Sequence, residues 1–302
     1  MAVKKSLRVK ADLSLLLVAL IWGLTFVTVK NAVADMAPYT FISIRFLIAF
    51  AFISLFCFNK LLRLSLSNLI PGMLLGVFLF AGYSFQTIGL KYTTASNAGF
   101  ITGMSVVLVP IVYGIINRRF PSPAAAAGAV LASVGLAFIC LGDGYRYNYG
   151  DVLVLMCALS FALHIVFVGR YAPDVDVTVL TAVQIGTVAV LSGIAALIVE
   201  NHIPVRFTGA VWIGLLTTAI PATSLAYFIQ SSMQRFTTPV HTVIILSMEP
   251  VFAGLFGFLL LGETLGVKGL WGAALVFAGM VLSEIQEVQR TRTGELSTGS
   301  ES

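Results

Sequence analysis

Charge is what this chain of 302 residues has least of: Asp, Glu, Lys and Arg together make up 10% of it, against roughly a quarter of an average soluble domain. With 58% hydrophobic residues and a mean hydropathy of +0.98, there is too little polar surface to clothe a water-soluble core, and the chain belongs in lipid. Cysteine is scarce as well. Cys57, Cys140 and Cys157 lie in apolar stretches without metal-ligand spacing and read as small buried hydrophobes rather than disulfide or metal partners. Also missing are the phosphate-cradling G-x-x-x-x-G-K-[ST], the zinc-binding H-E-x-x-H and the nucleophile elbow G-x-S-x-G. Their absence argues against ATP-driven chemistry and hydrolysis within the chain, and no cofactor or metal is expected. The net charge of +5 and isoelectric point near 9.2 come from basic residues scattered over short connections, without the stripe that nucleic acid requires.

Long apolar runs are what the chain does have. They cover residues 11–33, 38–58, 69–90, 96–117, 123–141, 151–169, 178–199, 208–231, 239–262 and 266–285. Each is close to the ~20 residues that a helix rising about 1.5 Å per residue needs to cross ~30 Å of hydrocarbon. Strands of a membrane barrel are half as long and alternate in polarity, which these runs do not. The expected fold is therefore all-α and integral to the bilayer, with ten transmembrane helices. Lys4, Lys5, Arg8 and Lys10 precede a first run too long for a cleaved signal peptide, so it reads as a retained span. Of the 18 Lys and Arg residues, 12 fall in the amino terminus, the even-numbered connections and the carboxyl tail. Five fall in the odd-numbered connections: Lys30, Lys91, Arg146, Arg206 and Lys268. The positive-inside rule then sets both termini in the cytoplasm of a multi-pass protein of the cell inner membrane. Residues 286–302 are small and polar and are expected to form a disordered cytoplasmic tail.

The runs repeat. A shift of 144 lays Tyr83 on Tyr227, Gln86 on Gln230, Thr93 and Thr94 on Thr237 and Thr238, Gly128 on Gly272 and Gly135 on Gly279. A shift of 139 lays Asp12 on Asp151 and Arg45 on Gln184 in the earlier spans. Two copies of five spans, residues 11–141 and 151–285, must enter the membrane from opposite sides because five is odd, and inverted repeats of this kind are a recurring construction of secondary transporters. Glycines seven apart lie on one helix face, so Gly128 with Gly135 and Gly272 with Gly279 read as packing seams of spans five and ten.

Charge at mid-depth costs about 2.5 to 3.5 kcal/mol on insertion scales, which draws attention to Arg45 in span two and Glu249 in span nine. Arg45 reads first as structural, in a salt bridge or bound to backbone carbonyls, and otherwise as a post that orients a carboxylate. Glu249 is suited to meet an amine or a proton. Pro250 removes a backbone donor and disfavours helix at the residue before it, so span nine is expected to kink there, with Pro110 and Pro221 as further bend points in spans four and eight. Tyr83 with Gln86, and Tyr227 with Gln230, each put two hydrogen-bonding groups on one helix face, either lining a cavity or joining helices. Trp22 is too deep for an interfacial belt and reads as core or cavity wall. His164 lies inside span six, and His241, at the entry to span nine, reads as a helix-end or gate residue.

The segment Leu20-Ile21-Trp22-Gly23-Leu24-Thr25-Phe26, the run Arg45-Phe46-Leu47-Ile48-Ala49, and Ser247-Met248-Glu249-Pro250-Val251-Phe252-Ala253 leading to Leu261-Gly262-Glu263 together resemble the EamA-type branch of the drug/metabolite transporter superfamily. The resemblance implies two inverted five-span units, cytoplasmic termini, a cavity built mainly by spans one, three, four, six, eight and nine, and export of amino acids or related small metabolites. The first copy departs from the pattern: Ser105 stands opposite Glu249 and Arg118-Arg119 where Gly-Glu is common. On this reading Trp22, Tyr83, Gln86, His164, Tyr227, Gln230 and Glu249 bind the substrate, while Arg45 and Pro250 are structural or orienting. The partners are a small-molecule metabolite and the bilayer, with proton coupling an open reading. An uncoupled, channel-like facilitator, a membrane enzyme and a nucleotide-sugar carrier are the alternatives.

Overall fold

The computed structural model of the chain describes residues 2–93, 95–118, 123–140, 148–200, 206–252, 255–256, 267–279 and 281–282. Among them the secondary structure is helical throughout. The tail at 286–302, the segment Leu261-Gly262-Glu263 and residues 142–147 of the junction between the repeats lie outside the described residues.

Thirteen helices are described: α1 (Ala2–Gly23), α2 (Thr25–Asp35), α3 (Pro38–Leu61), α4 (Leu66–Gly89), α5 (Ala95–Gly103), α6 (Ser105–Asn117), α7 (Pro123–Cys140), α8 (Tyr149–Tyr171), α9 (Val177–Val199), α10 (Gly209–Ala219), α11 (Ala226–Met233), α12 (Pro239–Leu246) and α13 (Val267–Gly279). Helices α3, α4, α8 and α9 and the continuous stretch Gly209–Phe236 are each long and apolar enough to cross a bilayer. Leu7–Gly23 and Thr28–Asp35 meet at a bend of 40° and together have the length and apolar character of a further crossing. Shorter apolar helices, Ile101–Asn117, Ala126–Phe138, Pro239–Phe252 and Val267–Gly279, lie within the other four expected runs. Large apolar side chains stand far out from the protein, with Leu55 at 77% and Ile198 at 73% exposure, as a surface meeting hydrocarbon allows.

Four helix starts are fixed by capping side chains of their own. Asn148 and Asp151 form a reciprocal capping box at α8, Asp176 accepts from the amides of Thr178 and Val179 at α9, and Thr208 and Thr238 cap α10 and α12. The start of α3 borrows its cap. Glu200, just past α9, accepts from the amides of Tyr39 at 3.0 Å and Thr40 at 2.8 Å, two donors that the first turn leaves without partners.

Helix α3 packs along α9 and α4 along α8 and α9, while α2 packs on α10, α1 on α11 and α12, and α6 on α8 and α12. Helices α7 and α13 cross at glycines. A Cβ on Gly135 would stand 2.6 Å from the carbonyl oxygen of Gly272, and one on Gly279 would stand 2.6 Å from that of Gly128, so the two backbones are in direct contact.

Several helices break partway along the expected runs. Span nine turns at Ser247 and Met248, immediately ahead of Glu249 and Pro250. Pro250 has no N–H to give to the carbonyl four residues back and its ring crowds that carbonyl, so the ladder fails where the sequence indicates. Span four differs from expectation. Helix α6 runs unbroken through Pro110, and the break falls at Met104, after Gly103, a poor helix former. The register of 144 sets Met104 opposite Met248, and at both positions the amide reaches a carbonyl three residues back, Met104 to Ile101 and Met248 to Ile245, each at 3.1 Å. In span eight, Ile220–Leu225 forms a π turn that contains Pro221.

Candidate functional site

The broken helices surround a cavity of about 80 Å³. A single water requires on the order of 10 to 15 Å³ in this measure, so the space holds several waters or a small polar group. Trp22, Tyr83, Gln86, His164, Tyr227, Gln230 and Glu249 all line it, and so do Arg45 and Pro250. The structure thus gathers these residues, from six of the expected spans, around one space. Thr25, Phe161 and Thr102 share the lining and were not singled out as site residues by the sequence, while Ser105, which also lines it, was marked only as the counterpart of Glu249. Threonine, serine and phenylalanine are ordinary in membrane helices, and only their position on the cavity wall marks them.

At the centre two phenols meet. The hydroxyls of Tyr83 and Tyr227 are 2.8 Å apart, although the residues are 144 positions apart in the chain. Around them the rings pack edge to face: Phe46 and Phe161 against Tyr83 with centroids at 4.9 Å and 5.5 Å, and His164 against Tyr227 at 5.6 Å. The Trp22 indole lies 5.4 Å from the Tyr227 ring and donates its N–H to the carbonyl of Ala222 at 2.9 Å, inside the π turn.

Arg45 is 4% exposed, and its partners correct the first expectation for it. Among the described residues neither a carboxylate nor a backbone carbonyl holds it. Its Nε donates to the Thr223 hydroxyl at 2.8 Å and its Nη2 to the Tyr83 hydroxyl at 3.3 Å, while the guanidinium lies 4.8 Å from the centre of the Tyr83 ring and 5.5 Å from that of Phe46. Cation–π contact and hydroxyl acceptors solvate the charge without neutralising it. The two ion pairs among the described residues are Lys60 with Asp176 and His241 with Asp12, so Arg45 stands beside the cavity with no carboxylate partner among them. Thr223 is held in turn: its hydroxyl donates to the carbonyl of Thr218 five residues back, and Ser224 donates to the carbonyl of Ala49 on α3.

Glu249 lies on the same lining, and among the described residues it makes no hydrogen bond or ion pair. Gln86 donates to Thr102 at 3.3 Å, and Gln230 donates to Gln234 at 3.1 Å while its carbonyl oxygen is without a partner among the described residues. His164 shares a hydrogen bond of 2.8 Å with Gln184, the residue that the shift of 139 sets opposite Arg45. The site therefore offers a fixed cation, a carboxylate and amides within aromatic walls, a combination suited to a small solute with charged and apolar parts.

Comparison with known proteins identifies the class of molecule that uses such a cavity. The sequence profile of the EamA-like transporter family matches residues 9–141 and again residues 148–284. The chain belongs to this family. An uncharacterized transporter of Archaeoglobus fulgidus is 37% identical over 280 residues, covering 92% of this chain and 87% of its own length. The uncharacterized transporter YcxC of Bacillus subtilis is 27% identical, covering 93% of this chain and 95% of its own. One solved crystal structure superposes with a TM-score of 0.77 at 18% identity, covering 92% of this chain and 97% of that one, which shows the fold they share. This member of the EamA-like family is a multi-pass membrane transporter of a small molecule, and not an enzyme.

Proposed function

We propose that this EamA-like protein is a secondary transporter that exports small metabolites, amino acids or related compounds foremost, by alternating access around the cavity at Tyr83 and Tyr227. It has ten transmembrane helices in two inverted five-helix repeats, residues 11–141 and 151–285, and both termini face the cytoplasm across the inner membrane. The observation that carries the reading is the cavity itself, where Arg45 and Glu249 bring opposite charges to one lipid-enclosed space. A solute with a carboxylate and an ammonium group satisfies both, and Trp22, Tyr83 and Tyr227 hold its apolar part.

Inversion is supported by the packing. Span two meets span seven as α3 on α9, span four meets span nine as α6 on α12, and span five meets span ten through reciprocal glycines. The breaks at Met104 and Met248 fall at equivalent positions of the two copies. Two such copies around a midplane site are the parts that rocking needs.

The test is reconstitution into liposomes with a panel of labelled amino acids and cationic drugs, with and without a pH gradient. Saturable uptake of an amino acid supports the reading, and no uptake of any of them overturns the amino-acid assignment. Glu249→Gln is expected to lower transport at least tenfold; unchanged transport removes both the amine and the proton role of Glu249. An uncoupled facilitator is favoured by one observation: the first copy has Ser105 where the second has Glu249, so among the described residues the lining holds a single carboxylate. Exchange that ignores the pH gradient supports this second reading.

A further inference from the structure

The cavity is bounded toward the amino-terminal face of the molecule by Ile165, Gln230 and Leu246. Beyond Leu246 on α12 lies His241, five residues or about 8 Å farther toward that face. On α1, Asp12 precedes the cavity residue Trp22 by ten residues, or about 15 Å. These two side chains meet: His241 Nε2 is 3.0 Å from Asp12 Oδ1. The histidine side chain is 4% exposed and the aspartate 23%. A second tie lies at the same end, where Gln234 donates to the carbonyl of Ile165 at 3.0 Å and so joins the end of span eight to α8.

The pair differs from the other ion pair among the described residues. Lys60 and Asp176 are both largely exposed and join connections at the surface. Asp12 and His241 join α1 and α12, two helices that themselves carry cavity residues. A buried polar pair is a poor way to hold two helices permanently together, since apolar side chains of the same volume do it as well or better. It suits a contact that must be dry and joined in one state and wet and parted in another. Helix α12 is short, begins at its Thr238 cap and ends at the break before Glu249, so it is a separate segment between two joints.

We propose that Asp12 and His241 are the closure of the transport cavity on the side of the membrane that carries the amino terminus, and that their parting is the step that opens the cavity to that side. The inference rests on the alternating-access reading and adds to it the residues that seal one end. The two residues act on passage through the helices that they join and touch no part of the cavity themselves.

Thiol labelling tests this without a transported solute. Cys57, Cys140 and Cys157 are replaced by alanine, Ser247→Cys is introduced in the cavity lining, and a membrane-impermeant methanethiosulfonate is applied to vesicles sorted by whether they expose a tag on the amino terminus. In the parent, labelling from the tagged side is expected to be slow. Asp12→Ala and His241→Phe should each raise that rate by about tenfold, the effect of losing one charge-assisted hydrogen bond from the closed state. The exchanged pair, Asp12→His with His241→Asp, should return it toward the parental value. Thr102→Cys, on another helix of the lining, serves as a second reporter should Ser247→Cys not fold. Rates unchanged in the single variants, or an exchanged pair as open as either single variant, overturn the proposal. A failed uptake panel bears on the substrate reading alone, because labelling needs no substrate.

Discussion

Arg45 is the residue around which the others are arranged, and its surroundings explain how a permanent charge is kept inside a bilayer. Its depth in an apolar run was legible in the sequence. Its partner was not, because Thr223 is 178 positions away and faces Arg45 only through a π turn, which has no sequence signature of its own. Thr223→Val keeps the shape and removes the acceptor, leaving a buried guanidinium N–H without a partner at a cost of about 1 to 3 kcal/mol. The expected outcome is a lower unfolding midpoint in detergent, with Thr223→Ser close to the parent. Equal midpoints for valine and serine would show that this hydrogen bond does not hold Arg45. Among the sequence candidates, Glu249, Tyr83 and Tyr227 were marked by depth or by the repeat, and both marks are properties of position. Thr102 and Phe161 carry neither and became visible only once the helices were packed around the cavity.

At the scale of elements, proline located the break in span nine but misplaced that in span four, where the helix tolerates Pro110 and yields at Gly103 and Met104. Proline removes one hydrogen bond wherever it stands; whether the helix then breaks depends on neighbours that can satisfy the freed carbonyl. The glycine seam was more legible, since a spacing of seven fixes a face regardless of tertiary context. Gly135→Ala and Gly279→Ala each press a methyl onto a backbone carbonyl that cannot rotate away, and each is expected to destabilise by about 1 to 3 kcal/mol. Gly209→Ala meets nothing within 4 Å and should be neutral or slightly stabilising, so melting curves of the three variants compare seam with surface.

The start of α9 gives a pH prediction at the same scale. Burial pushes the Asp176 carboxyl up, but the ammonium of Lys60 at 2.6 Å and the amides of Val179 and Thr178 outweigh it and hold the group below its ordinary value of 3.8. The folded state therefore favours the ionised form. Its contribution is complete above the unfolded pKa and is lost as the pH falls through the lower, folded one. Asp176→Ala should cost about 1 kcal/mol of cap at neutral pH and make stability less dependent on pH below about 4. A variant that loses stability on acidification as steeply as the parent would rule out this role.

At the scale of the whole molecule, an even number of crossings returns the carboxyl terminus to the side of the amino terminus. Reporter fusions check the count: alkaline phosphatase joined after Asp35, Tyr92 or Glu200 should be active, and joined after Arg63, Asn117 or Ala172 inactive. Activity after Arg63 would reverse the topology proposed here. The repeat from which this topology is proposed rests on landmarks that recur in order along the chain, and the two family matches at residues 9–141 and 148–284 fall on the same halves. The conformation of the cavity was not legible, since the two copies face each other across a distance that no local pattern encodes.

The contact between Tyr83 and Tyr227 has a consequence for how the two copies change together. The phenols share a hydrogen bond of 2.8 Å, so removing the Tyr83 hydroxyl strands that of Tyr227 in a buried place, and removing that of Tyr227 leaves Tyr83 only its contact with Arg45. Tyr83→Phe and Tyr227→Phe should each cost more alone than the second costs once the first is made, and a double-mutant cycle on unfolding midpoints reads that coupling directly. The two halves of the chain, separate in sequence, are thus tied into one unit of inheritance: a loss in one copy is best tolerated when it is matched in the other.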